Sequence, residues 1–255
     1  MQSMTGVEEV FTEGGLFHRS IPGFNPRRSQ LDMAMAVNDT LHNGGRLVVE
    51  SGTGTGKTFA YLVPALLSGK KTIISTGTRH LQDQIFYRDL PQVIDILGVP
   101  ANVQILKGRS NYLCRYRHGR SKEQADLVGR ENQMYLDIID EWSLRTRTGD
   151  IAEVSEVPED STVWKKVTST ADSCLGAKCP DFSRCHVNTA RKKALESEVV
   201  VVNHHLFFSD VTLKSDGFGE LLPQHEAVIF DEAHSLAETA SRFFGFSLSS
   251  FQLSE

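Results

Sequence analysis

Short apolar runs recur along the chain at Leu47–Val49, Thr72–Ser75, Val103–Leu106, Val199–Val202 and Ala227–Phe230. Within each run apolar residues follow one another without regular polar alternation, the pattern of strands buried on both faces. Helix-like segments lie between most of them, at Phe59–Leu67, His80–Leu90 and Leu206–Leu213. Short buried strands alternating with helices predict a parallel α/β sheet. The alternation breaks between Lys107 and Lys193, where no β pattern is clear. Inside that stretch Met134, Tyr135, Ile138, Ile139 and Trp142 recur at helical spacing and predict one amphipathic helix. The stretch reads as an insertion into the α/β domain.

Chemistry enters where the first run ends. Glu50-Ser51-Gly52-Thr53-Gly54-Thr55-Gly56-Lys57-Thr58 joins a strand-like segment to a helix-like one. A glycine-rich loop in that setting aims backbone N–H groups, and the positive end of a helix, at one point. Lys57 is placed to reach β- and γ-phosphates, and the Thr58 hydroxyl to bind Mg²⁺. Ser51 stands where the phosphate-loop pattern has glycine, while Gly56-Lys57-Thr58 is intact. The loop, Ser51 to Thr58, predicts a nucleoside-triphosphate site. Its second half is expected at the end of the last run, where Asp231-Glu232-Ala233-His234 follows Ala227–Phe230. There Asp231 is the candidate Mg²⁺ ligand, Glu232 the group that orients and polarises the attacking water, and His234 a γ-phosphate sensor. Upstream, Arg27 and Gln30 are candidates for reading adenine, since an amide offers both a donor and an acceptor to the N6/N7 edge. ATP and Mg²⁺ are therefore the expected ligands.

Charge narrows the partners. The 255 residues carry a net charge of −5, so the chain is not a uniformly basic nucleic-acid binder and any such surface is local. Residues 107–122 hold six basic side chains and no acid, whereas 123–160 hold eleven acids against three arginines. Only the first half of the insertion suits a phosphate backbone. Lys107, Arg109, Arg115, Arg117, Arg120 and Lys122, interleaved with Tyr112 and Tyr116, are candidate contacts to single-stranded DNA. Thr76, Thr78 and Gln82 are candidates for a second phosphate-contacting surface. No apolar run approaches membrane-spanning length, and Met1–Phe11 has no signal-peptide core, so no membrane partner and a cytoplasmic location are expected. Four cysteines in such a chain point to metal ligands or free thiols. Cys174, Cys179 and Cys185 are compact, Cys114 lies upstream, and all four fall inside the insertion. Their spacing suits either a tetrahedral zinc or an iron–sulfur cluster.

Together, the glycine loop, the Asp-Glu-Ala-His box and the four-cysteine insertion between them resemble the XPD/DinG-type iron–sulfur DNA helicases. The likeness extends to Ile21-Pro22-Gly23-Phe24, Ser75-Thr76-Gly77-Thr78, Leu81-Gln82-Asp83-Gln84, Leu106 to Cys114, and Val201-Val202-Asn203-His204-His205-Leu206. The resemblance implies a RecA-like P-loop parallel sheet with a mainly helical iron–sulfur insertion. The ATP-binding lobe would occupy 1–106 and 194–236, the insertion 107–193, and the start of an arch-type domain 237–255. It implies a [4Fe–4S] cluster on Cys114, Cys174, Cys179 and Cys185. The implied activity is ATP-driven, 5′→3′ unwinding of DNA in repair, on single-stranded and forked DNA, with replication or repair proteins as companions. Such helicases use a second lobe that supplies an arginine finger, and this chain reads as an N-terminal part without it. An arginine finger supplied from elsewhere changes rates by orders of magnitude. The alternatives are an ATP-binding, single-stranded-DNA-binding module without motor activity, and a P-loop ATPase with a zinc insertion.

Overall fold

A computed structural model describes residues 6–52, 54–123, 130–215, 217 and 220–245. Two compact units share the chain: residues 1–105 with 194–255, and residues 106–193.

The first unit is mixed α/β and is built on four parallel strands. These are β1 (Thr72–Thr76), β2 (Val103–Ile105), β3 (Val199–Asn203) and β4 (Ala227–Phe230), in the spatial order β2-β3-β1-β4. Thr72 stands level with both Val199 and Ala227, so β1, β3 and β4 start together and their C-terminal ends fall on one edge. Residues Thr72–Thr76 of β1 are buried throughout, as are the four valines of β3, which explains their unbroken apolar character. Helices Lys57–Leu67 and Arg28–Asn43 pack together, and their apolar faces join the same core. Ala34, Ala60, Leu62, Val63, Ile74, Leu90 and Val201 form its centre. Phe17 meets Phe11 and Phe24 edge-on and Phe59 at a tilt, closing the core at the N-terminal side of the chain.

The expected helix at His80–Leu90 is longer and is wound unevenly. It runs as an α-helix from Arg79 to Gln84, a π-helical turn over Ile85–Asp89, and a second α-helix to Leu97, ending at Gly98 with φ 62°. Pro91 gives the reason. It has no N–H for the Tyr87 carbonyl and its ring crowds that group, and just before it the Leu90 N–H reaches back five residues to Ile85. The helix Arg28–Asn43, not among the expected helices, buries Gln30, Ala34 and Leu41.

One expectation is corrected. Leu47–Val49, read as a strand, joins no ladder; Val48 is 95% exposed, and Leu47 and Val49 are exposed as well. A strand persists only when a neighbour takes its backbone N–H and C=O groups. Among the described residues β4 is the outermost strand, paired with β1 alone, and nothing pairs with residues 47–49.

The second unit is mainly helical. Helix Arg130–Arg145 realises the amphipathic pattern: Leu136, Ile139 and Trp142 are buried against Leu113, Ile151, Val154, Val163, Trp164 and Val167, while Met134 is exposed. Glu153 ties the end of this helix to the turn after it, accepting from Trp142 Nε1 at 2.8 Å and from Thr146 Oγ1 at 2.7 Å. A single antiparallel bridge, Tyr112 to Asp150, holds the entry of the unit beside its middle. Short 3₁₀ turns at Gly176–Lys178 and Phe182–Arg184 lead into helix His186–Leu195.

Candidate active site

Two glycines set the shape of the loop before helix Lys57–Leu67. Gly54 and Gly56 have φ of 72° and 81°, a region that side chains with a Cβ rarely enter. The loop is tied by its own hydroxyls: Ser51 Oγ and Thr55 Oγ1 lie 2.6 Å apart, and Thr55 Oγ1 donates to the Gly52 carbonyl at 2.9 Å. Lys57 Nζ hangs over this turn, 3.4 Å from the Ser51 carbonyl oxygen and 3.3 Å from that of Gly52. Arg27 donates to the Gly54 carbonyl, and Gln30 Nε2 donates to the Gly56 carbonyl at 3.0 Å. Both residues named for adenine therefore brace the loop; Gln30 is buried against it. Thr53 lies outside the described residues.

β4 delivers the acidic box to the same end of the sheet. The Asp231 N–H donates to the Ser75 carbonyl at 2.8 Å, extending the β1–β4 ladder by one step. Asp231 is buried and accepts from the Tyr61 hydroxyl at 3.3 Å. Tyr61 stands one helical turn beyond Thr58, so it links the helix that carries one candidate Mg²⁺ ligand to the other, Asp231. Burial pushes the Asp231 carboxyl up; the Glu232 charge adds to this, and the Tyr61 hydrogen bond and the Lys57 ammonium oppose it. Glu232 has φ 57°, the one non-glycine positive φ among the described residues. Strain of that kind collects at functional turns. Its Oε2 lies 3.4 Å from His234 Nδ1, and the His234 side chain is open to solvent.

Three neighbours of this turn were given no role from the sequence, although Gly77 and His204 stand in stretches that carry the family likeness. Tyr61 is three residues, one helical turn, beyond Thr58, and that spacing is the signal that could have found it. His204 is buried, with Nδ1 2.7 Å from Ser75 Oγ. Its burial holds the imidazole pKa down, partly offset by the nearby backbone of Glu232 and Asp231. Gly77 lies flush against the acidic turn, since an added Cβ would stand 3.1 Å from Ser235 Oγ and 3.5 Å from Glu232 Cβ.

In the second unit Cys114, Cys174, Cys179 and Cys185 are free and partly exposed. Burial pushes the Cys114 thiol up; the Arg117 backbone opposes, and the charges of the other three cysteines add to the rise. The Cys114 sulfur is therefore within electrostatic range of the other three. Arg191, largely buried beside Arg109, sits in the field of Cys174 and Cys185. Among the described residues no three His, Cys, Asp or Glu side chains are grouped as around a metal ion.

The candidate DNA contacts are redistributed. Lys107 is buried in an ion pair with Asp150 at 2.6 Å, and the Tyr112 hydroxyl accepts from the Lys107 N–H at 3.1 Å inside the unit. Neither faces solvent, because each completes the packing around the Tyr112–Asp150 bridge. Arg117 donates to the Lys165 carbonyl at 2.9 Å, and Lys122 pairs with Asp140 at 2.8 Å. Arg120 stays exposed, its guanidinium 5.9 Å from the Tyr116 ring centre. Gln82 is fully buried and donates to the Val201 carbonyl at 3.0 Å, pinning its helix to β3 rather than meeting phosphate. Thr76 is buried too, while Thr78 is exposed and caps the next helix by accepting from the Leu81 N–H.

A family model for the DEAD/DEAH box helicase matches residues 32–149. The chain is 51% identical over 247 residues to the ATP-dependent DNA helicase YoaA of Haemophilus influenzae, and 52% identical over 251 residues to that of Escherichia coli. Each match covers 97% of this chain and 39% of the relative. The ATP-dependent helicase DinG of Mycobacterium tuberculosis is 36% identical over 242 residues, 85% of this chain and 35% of the relative. The chain thus spans about two fifths of the length of the relatives most similar to it here. With a glycine loop and an Asp-Glu-Ala-His box, the chain carries a DEAD/DEAH box helicase domain and is similar along nearly its whole length to helicases named YoaA and DinG.

Proposed function

We propose that this chain supplies the RecA-like ATP-binding lobe and an iron–sulfur insertion of an ATP-dependent DNA helicase acting 5′→3′ in DNA repair. The observation that carries the reading is the Tyr61 hydroxyl, one helical turn beyond Thr58, donating to Asp231 across 170 residues of sequence. The backbone of residues 52–56 and the start of helix Lys57–Leu67 hold the phosphates, and the Lys57 ammonium neutralises their charge. Thr58 and Asp231 are the residues that would hold Mg²⁺, which would supply positive charge against the charge developing on the phosphates. Glu232, held in its strained turn, orients the attacking water, and His234 lies beside it. Arg27 and Gln30 brace the loop and are the groups proposed to read the adenine edge. In the insertion, four free thiols, with Cys114 in electrostatic range of the other three, are the residues that would hold a [4Fe–4S] cluster: Cys114, Cys174, Cys179 and Cys185. Single-stranded and forked DNA are the proposed substrates, and the named activity of the YoaA relatives supports them.

Nucleotide binding and DNA-stimulated phosphate release test this reading together. Lys57→Ala is expected to weaken ATP binding strongly with the fold intact, because Lys57 contributes charge at the loop and no core packing. Glu232→Gln should keep binding and lose hydrolysis. Equal loss of binding in both variants would overturn the assigned roles. Iron and sulfide in anaerobically purified protein, lost on Cys114→Ser, are the outcome expected for the insertion.

A further inference from the structure

Tyr61 belongs to no motif, yet its hydroxyl meets a candidate Mg²⁺ ligand. It is 3% exposed, so its ring is core and its polar tip must be satisfied from within. Asp231 Oδ2, at 3.3 Å, satisfies it. The carboxylate can only accept, so the phenol proton goes to Asp231. That leaves the second oxygen of Asp231 outside this hydrogen bond.

We propose that Tyr61 is a positioning residue for divalent-cation binding, fixing the Asp231 carboxylate in the rotamer that presents it to Mg²⁺. The inference rests on the reading of the nucleotide site above. Groups that hydrogen-bond to metal ligands orient them, and their loss typically lowers metal affinity by about 10- to 100-fold. Burial, and the charge of Asp231, hold the phenol pKa well above its usual range, so Tyr61 remains a neutral donor at working pH.

The test is Tyr61→Phe, which keeps the ring in the core and removes only the hydroxyl. A fluorescent ATP analogue is titrated against the protein at a series of free Mg²⁺ concentrations and in EDTA, with the melting temperature measured alongside. The expected result is a Mg²⁺ requirement shifted up by about 10-fold, with binding in EDTA and the melting temperature close to those of the parent. Asp231→Asn is the positive control for a damaged cation site. A Mg²⁺ curve for Tyr61→Phe that overlays the parent, or moves to lower Mg²⁺, overturns the proposal. A loss of binding equal in Mg²⁺ and in EDTA also overturns it, because the hydroxyl would then serve the loop or the core. Should the parent bind the analogue without any Mg²⁺ dependence, the nucleotide-site reading itself fails, and the two failures stay distinct.

Discussion

Gly56 shows how much one residue settles at the nucleotide site. Its φ of 81° is unfavourable for any side chain, and an added Cβ would overlap the Gln30 amide that bonds its carbonyl. Gly98 ends its helix at φ 62° but has open space around it. Alanine at Gly98 therefore meets only the conformational cost, on the order of 1–2 kcal/mol. Alanine at Gly56 meets that cost and a steric clash, so a loss exceeding the Gly98 value by roughly 1–3 kcal/mol is expected. Urea unfolding of both variants compares them. Matching midpoints would mean that the Gln30 contact yields freely and does not hold the loop. Legibility at this scale was uneven. Lys57, Thr58 and Asp231 announce themselves by motif, whereas Tyr61, Gly77 and His204 acquire meaning only from what the sheet places beside them.

At the scale of elements, the buried pair Lys107–Asp150 decides whether the entry of the second unit is a DNA surface or a structural clasp. Both side chains are about 5% exposed or less, and Asp150 also accepts from the Ala152 N–H at 3.1 Å. Breaking such a pair leaves an uncompensated buried charge, at a typical cost of about 3–5 kcal/mol. Asp150→Ala should destabilise the second unit by that order, and the joint change Lys107→Met with Asp150→Leu should recover most of it. Limited proteolysis and thermal melts read the outcome; equal damage from the single and joint variants would contradict the account. The amphipathic helix Arg130–Arg145 was legible because its period is local. Lys107 was not, because a lysine in an acid-free stretch looks solvated until the chain brings Asp150 to it from forty-three positions away.

For the molecule as a whole, net charge of −5 makes DNA binding a matter of local cationic surface. With Lys107 buried and Lys122 paired, Arg120 beside Tyr116 is the exposed cation with an aromatic neighbour. We expect sequence-independent, salt-sensitive binding of single-stranded DNA. Arg120→Glu should lower the log–log salt slope by about 0.7, the value of one lost phosphate contact on a single strand. The joint Lys107→Met, Asp150→Leu variant should leave the slope unchanged. Affinity measured at several salt concentrations, with iron content checked first, separates these results. A slope reduced by the joint variant and untouched by Arg120→Glu would return Lys107 to the DNA path and remove Arg120 from it.

The chain's own pattern was enough for the α/β class, the run of buried strands β1 to β4, the glycine loop, the acidic box and the amphipathic helix of the insertion. These rest on short-range regularities: apolar runs of strand length, glycines where the backbone must reverse, and a helical repeat of side chains. Tertiary structure alone decided the rest. It left Leu47–Val49 outside the sheet, since a strand needs a partner that no local pattern supplies. It turned Gln82, Lys107 and Tyr112 inward, since hydrogen bonds and charges are assigned by whatever packs opposite them. And it placed the Tyr61 hydroxyl against Asp231, a meeting of helix and strand across 170 positions that no local pattern encodes.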